Sequence, residues 1–217
     1  MKKVFMLLVA CVLLTLSTVS CDRSNGWVDL GLPSGTLWAE CNIGATSPEQ
    51  YGNYYAWGET QPKTVYDWST YRYCGDNHLM NKYCTNSDYG TVDNLSALLP
   101  DDDVATVEIG KEVHIPTKEQ WQELLNNTKS EWTEYKGVYG RRFTGVNGKS
   151  LFLPAAGDRS GSELDGAGTG GYYWSSSLYT DYPRSAWYCY FNSDGQGVVS
   201  NYRYYGRSVR SVRASQN

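Results

Sequence analysis

Imidazole is scarce in this chain: His78 and His114 are the only histidines among 217 residues. General acid–base chemistry of the commonest kind therefore has two candidate carriers, one in a polar loop and one just ahead of Ile115-Pro116, and a solvated and a packed histidine account for both. No pair of cysteines is spaced C-x-x-C, which argues against a zinc knuckle or a thioredoxin-like site. A second long apolar run is missing, so no segment beyond the N-terminus reads as a membrane span. Positive charge is not in excess either: the formal charge is −4, and a polyanion-binding groove is not indicated, so nucleic acid is not an expected partner. No solenoid or propeller period recurs, and no Pro- or Ser-rich linker divides the chain, which predicts one domain.

What is present begins with MKKVFMLLVACVLLTLSTVSC. Lys2 and Lys3 precede an apolar run from Val4 to Leu16 that is shorter than the roughly 20 residues of a spanning helix, the pattern of a removable export signal over residues 1–20. Thr18-Val19-Ser20-Cys21 resembles the lipobox of bacterial lipoproteins, which implies lipidation of Cys21 and a short linker, residues 21–25. Ordinary cleavage nearby, leaving Cys21 as a thiol, stays open. Loss of Lys2 and Lys3 with the signal makes the net charge more negative by two.

An exported chain permits disulfides. Cys74 and Cys84 flank the polar loop GDNHLMNKY, a separation that closes easily, and this pair is the expected bridge. Cys41, in LWAECNIG, reads as a buried unpaired thiol on a strand.

One helix is well signalled. Thr117 can cap it, Gln120 stands at the capping-box position, and Trp121, Leu124 and Leu125 recur at helical spacing up to Asn126-Asn127. A shorter helical candidate covers residues 94–99. Glu119 and Glu123 share a face of the main helix, which an exposed side explains without catalysis. Asp101-Asp102-Asp103 reads as a solvated loop that starts a turn, since no calcium-loop spacing follows. Most of the remainder is short β segments broken by Gly, Asn, Asp and Ser, with a type I′ hairpin expected at Val146-Asn147-Gly148-Lys149.

GWVDLGLPSGTLWAECNIGATSPEQYGNYYAWGET, residues 26–60, resembles the opening of the Fibrobacter major paralogous domain, a family abundant in bacterial lipoproteins. HIPTKEQWQELL at 114–125, FLPAAGDRSG at 152–161, and GYYWSSS with GRSVRSVR near the end continue the likeness along the chain. That family looks like a branch of the formylglycine-generating-enzyme superfamily. The resemblance implies an α+β, C-type-lectin-like fold over residues 26–213, with twisted antiparallel sheets, one or two helices and much irregular structure, followed by a short tail, 214–217. Catalytic members of that superfamily use a cysteine pair in the C-terminal half to bind copper. Only Cys189 stands there, so the oxidase chemistry does not carry over, and no enzyme activity, cofactor or metal site is expected.

The segment 172–213 holds nine of the nineteen tyrosines among Ser, Asp, Asn, Arg and Gly, and no Lys, Glu, His or Met. Taken as two strands around an Asp194-Gly195-Gln196-Gly197 turn, it puts Trp187, Cys189 and Phe191 on one face and Tyr188, Tyr190 and Asn192 on the other. Tyrosine with small polar residues and Arg is the composition of a binding surface. The same tail resembles the variable proteins of diversity-generating retroelements, in which adenine randomisation turns an AAC-like codon into Tyr, Ser, Asp, Asn, Arg, Gly and a few others. From Tyr179 to Gly206 only Trp187 and Gln196 fall outside that set. The resemblance implies a variable region at about 172–210. Its frame would be Trp174, Ser175, Ser176, Ala186, Phe191, Gly206, Val209 and Arg210. Its displayed set would be Tyr179, Asp181, Tyr182, Arg184, Ser185, Tyr188, Tyr190, Asn192, Ser200, Tyr202, Tyr204 and Tyr205.

The expectation is a lipid-anchored receptor or adhesin, exported to the outer membrane and surface-exposed, that binds a protein or glycan ligand. A fixed glycan-binding face and a non-copper enzyme of the superfamily are the alternatives, and tyrosines packed across half-exposed strands without any ligand are the structural explanation of the composition.

Overall fold

A computed structural model describes residues 26–215. The expected export signal, Cys21 with its expected lipid, and the last two residues lie outside the described part. In chain order the elements are β1 (Trp27–Asp29), β2 (Leu37–Ala39), α1 (Val104–Ile109), β3 (Val113–His114), α2 (Lys118–Asn127), β4 (Lys129–Tyr135), β5 (Val138–Thr144), β6 (Ser150–Pro154), β7 (Asp158–Ser160), β8 (Glu163–Asp165), β9 (Gly171–Leu178), β10 (Ser185–Phe191), β11 (Gln196–Tyr202) and β12 (Val212–Arg213). The fold is α+β, sheet-rich and antiparallel. One sheet has the order β1-β2-β12-β3 and ties both ends of the described chain together; two others run β4-β5-β6 and β11-β10-β9, and β7 pairs with β8.

The helix at 118–127 forms for the reasons its sequence gives. Thr117 accepts from the Gln120 amide while the Gln120 side chain accepts from the Thr117 amide, and Trp121 and Leu124 are buried. Thr117→Ala removes one half of that reciprocal cap. It is expected to cost about 1 kcal/mol, seen as a fall of about 2–4 °C in melting temperature by circular dichroism.

Residues 94–99 are not helical. Leu98 donates its amide to the Ser176 carbonyl and Ala97 bridges to Ser177, so this segment is drawn out along β9. The short helix α1 starts later because Asp103 caps it, accepting from the Ala105 and Thr106 amides. The acidic run does start a turn, but only Asp101 is solvated: Asp102 and Asp103 are buried. The hairpin between β5 and β6 is present with a different turn. Gly148 takes a φ of +80° and Asn147 does not take a positive φ, the pattern of a type I turn closed by a left-handed glycine, not a type I′ turn.

Two hydrophobic clusters lie on opposite sides of the β11-β10-β9 sheet. Ala186, Tyr188, Trp174 and Leu178 enter one, with Trp57, Tyr71, Tyr73 and Tyr83. Cys189, Phe191 and Tyr173 enter the other, with Trp38, Trp121, Phe143 and Leu153. The strand alternation read from the sequence is therefore real, but both faces of β10 are covered. The long irregular stretch between β2 and α1 packs over the side expected to face solvent.

An irregular stretch leaves many backbone carbonyls without ladder partners, and buried carbonyls need donors. Tyrosine hydroxyls supply them: Tyr54 to Ala156 O (2.6 Å), Tyr66 to Tyr54 O (2.7 Å), Tyr71 to Trp57 O (2.8 Å) and Tyr173 to Pro154 O (2.7 Å). The indoles of Trp57 and Trp174 donate likewise to Ser175 O and Tyr55 O. Part of the tyrosine content is thus the donor supply of a loop-rich core.

Cys74 and Cys84 are free thiols, not the expected bridge. The loop between them is closed by backbone instead: Met80 bridges to Cys74 and to Gly90, and its side chain is buried. Cys84 turns its thiol to the Asn86 carbonyl at 3.1 Å, and its amide is held by Asp93. Cys41 is buried as expected, but it is not among the free thiols.

Candidate ligand-binding face

The twelve residues expected on display do not form one surface. Ser185 and Tyr188 are buried, which corrects their assignment. Tyr188 lies under the loops that cover β10, with the Arg207 guanidinium 3.6 Å from its ring. Asn192 is a turn-former: its side chain accepts from the Asp194 and Gly195 amides, and its carbonyl accepts from Arg141. The tight turn runs from Asn192 to Gly195, so Gln196 and Gly197 belong to β11. Tyr190 is half-buried, and a Cβ on Gly197 would come within 2.8 Å of its ring. Tyr179 packs edge-on to Trp187, whose ring is capped by the Lys118 ammonium at 3.8 Å. Asp181 is exposed in the turn before β10, and Ser200 is half-exposed on β11.

The remaining five come together. Tyr202 and Tyr204 are stacked at 5.7 Å, and Tyr204 and Tyr205 at 4.6 Å. Tyr182 lies 6.2 Å from Tyr202, and Arg184 sits 5.5 Å from the Tyr89 ring, which itself packs on Tyr182. Residues at the end of β11 and in the β9–β10 turn thereby form a ridge, in which Tyr202 is 36% exposed and the others are half-exposed. The Tyr182 hydroxyl, hydrogen-bonded beside Tyr202, pushes the Tyr202 phenol above its ordinary range, and burial does the same for Tyr204. Both hydroxyls stay protonated and are tied into the ridge.

Residues outside the tail complete this ridge. Trp68 lies 4.9 Å from Tyr204, 5.5 Å from Tyr202 and 6.0 Å from His78. The His78 carbonyl accepts from Arg184 Nε at 3.2 Å, and Thr85 Oγ1 donates to the Thr180 carbonyl. Nothing in the run DWST around Trp68 distinguishes a surface indole from a core one.

Arg203 is the joint between loop and tail. It is fully buried and donates to the Tyr83, Pro183 and Lys82 carbonyls at 2.8, 2.8 and 3.0 Å and to Tyr71 Oη at 2.8 Å. Its guanidinium lies 5.2 Å from both the Trp57 and Tyr71 rings, a packing that planar Arg allows and Lys does not.

Beneath the loop, Asp102 accepts from Tyr73 (2.6 Å), Tyr83 (2.5 Å) and Lys82. Burial pushes its carboxyl up, but these three donors outweigh burial and hold it below the ordinary value of 3.8. Its stabilising contribution is then complete above pH 3.8 and is lost as pH falls through the lower native value. Asp102→Asn is expected to flatten the fall of melting temperature below pH 3.8, measured against the unsubstituted chain. Asp158 behaves oppositely: burial outweighs the Arg207 guanidinium 3.3 Å away and leaves its carboxyl raised.

The assembly is thus a sheet-rich domain carrying an aromatic ridge built from two separate parts of the chain. A family model described as a domain of unknown function, DUF8237, matches residues 128–212, which begin just after α2, run through the tyrosine-rich tail and do not include the Trp68 loop. No curated protein and no solved structure gives a significant match. Among the described residues no helix is long and apolar enough to cross a membrane.

Proposed function

We propose that this chain is a lipid-anchored, surface-displayed receptor or adhesin of C-type-lectin-like fold, and that the ridge of Tyr182, Arg184, Tyr202, Tyr204 and Tyr205 around Trp68 binds its ligand. The observation that carries this reading is the convergence of these side chains on one half-exposed aromatic surface. Tyrosine and tryptophan present large amphipathic area with few rotatable bonds, and Arg adds a planar donor fork; these are the residues in which binding energy concentrates.

Diversification by a retroelement fits the same arrangement. All eight residues assigned to the frame are buried, where a fixed identity is needed for packing. Gln196, which adenine randomisation cannot produce from an AAC codon, accepts from Arg141 at 3.2 Å and so has a structural reason to be constant. Lipid on Cys21, five residues before Gly26, would hold the domain close to the membrane.

Arrays of proteins and of glycans, probed with the full chain and with a Trp68→Ala/Tyr202→Ala variant shown to be folded by circular dichroism, test the reading. A ligand captured by the first and not by the second supports it. Ligands retained equally by both would place binding elsewhere.

A further inference from the structure

A separate cavity of about 520 Å³, within the roughly 300–1,000 Å³ of small-molecule sites, is lined by Asn53, Tyr54, Lys63, Tyr66, Arg159 and Ser162 among others. Its lining carries two cations and no carboxylate. Lys63 is already engaged, with Glu59 at 2.9 Å and the Thr70 carbonyl at 3.0 Å. Arg159 is not: among the described residues its guanidinium makes one long hydrogen bond, 3.4 Å to the Ser162 carbonyl, while lying 5.1 Å from the Tyr54 ring. The backbone behind it is rigid. Arg159 exchanges both ladder hydrogen bonds with Gly206, and Tyr66 pairs with Gly161 in the same way. A largely uncommitted, half-exposed guanidinium on a fixed strand is suited to take a carboxylate in a two-point contact. The Asn53 amide, one of whose donors goes to Tyr55 Oη at 3.3 Å, the Ser162 hydroxyl, which donates to Glu163 Oε1 at 3.3 Å and keeps its acceptor sites, and the Thr64 hydroxyl suit a hydroxyl-bearing ring, and the tyrosines supply apolar walls.

We infer that this cavity is a second binding site that takes an acidic monosaccharide, with Arg159 holding its carboxylate. None of its lining residues lies in the tyrosine-rich tail, so its specificity would be fixed whatever the ridge carries.

Calorimetric titration of the full chain with glucuronate, glucose and acetate tests this. Glucuronate is expected to bind at least about tenfold more tightly than either of the others. Arg159→Gln, at unchanged melting temperature, should weaken glucuronate by about tenfold or more, Arg159→Lys by less, and Tyr202→Ala not at all. Equal binding of glucose would remove the charge requirement and overturn the proposal, and equal binding of acetate would overturn the sugar. Undetectable glucuronate binding, or full affinity in Arg159→Gln, would also overturn it.

Discussion

Replacing Arg203 by Met is expected to destabilise the domain by about 3 kcal/mol or more, because three buried carbonyls lose their donor at about 1–3 kcal/mol each when left unsatisfied. For a domain of this size that is a fall of about 6–12 °C in melting temperature. The methionine fills similar apolar volume against Trp57 and Tyr71, so the loss reports the hydrogen bonds to Tyr83, Pro183 and Lys82 more than a cavity. Arg203→Lys should recover only part, since one ammonium cannot span carbonyls from two chain segments. The damage should also be local. Amide exchange is expected to quicken in residues 78–89 and 179–185 well before α2, which Arg203 does not touch. Uniform acceleration would mean that Arg203 supports the core generally and does not specifically join loop to tail.

Trp68→Ala is expected to abolish most ligand binding while lowering stability only modestly. A central aromatic anchor contributes about 2 kcal/mol or more, so any ligand found on the arrays should bind about thirtyfold more weakly or worse. Tyr202→Ala should act in the same direction, and the double variant should lose less than the sum, because the two rings touch at 5.5 Å. Trp68 is half-buried: its ring packs on Tyr202 and Tyr204 at the surface and edge-on to the buried Tyr71 at 5.9 Å, so its loss should lower the melting temperature by a few degrees without unfolding the domain. A binding change after Tyr190→Ala alone, with Trp68→Ala silent, would move the site toward the β10–β11 hairpin.

Local rules in the sequence announced the elements that depend on local rules. The helix at 118–127 carries its own cap and its own buried stripe, so neither its existence nor its ends needed tertiary information. The alternation in β10 was legible for the same reason. What it could not reveal is that the face opposite Cys189 and Phe191 is also covered, because the covering segment, residues 51–98, has almost no periodic structure of its own. Tyr188 was misassigned on that account. The expected turn was displaced toward the C-terminus: Asp194-Gly195-Gln196-Gly197 looked like the turn, whereas the Asn192 side chain, accepting from two following amides, fixes it earlier, at residues 192–195. Cys74 and Cys84 sit at a spacing that would allow a bridge, yet Met80 closes the loop between them through backbone pairing. Trp68 and Arg203 are the largest omissions. Each acts through partners far away in sequence, and a surface indole or a buried arginine carries no local mark of its role.

Deep sequencing of codons 172–213 and their flanks from a population grown from one cell tests the central claim most directly. The account predicts a nearby repeat differing almost only at adenines. Substitutions should concentrate in the codons of Tyr182, Arg184, Tyr202, Tyr204 and Tyr205, with those of Trp174, Arg203, Arg207 and Arg210 constant because their side chains are fully buried. Absence of any repeat and of any such variation, or variation spread equally over the buried arginines and the ridge, would contradict it.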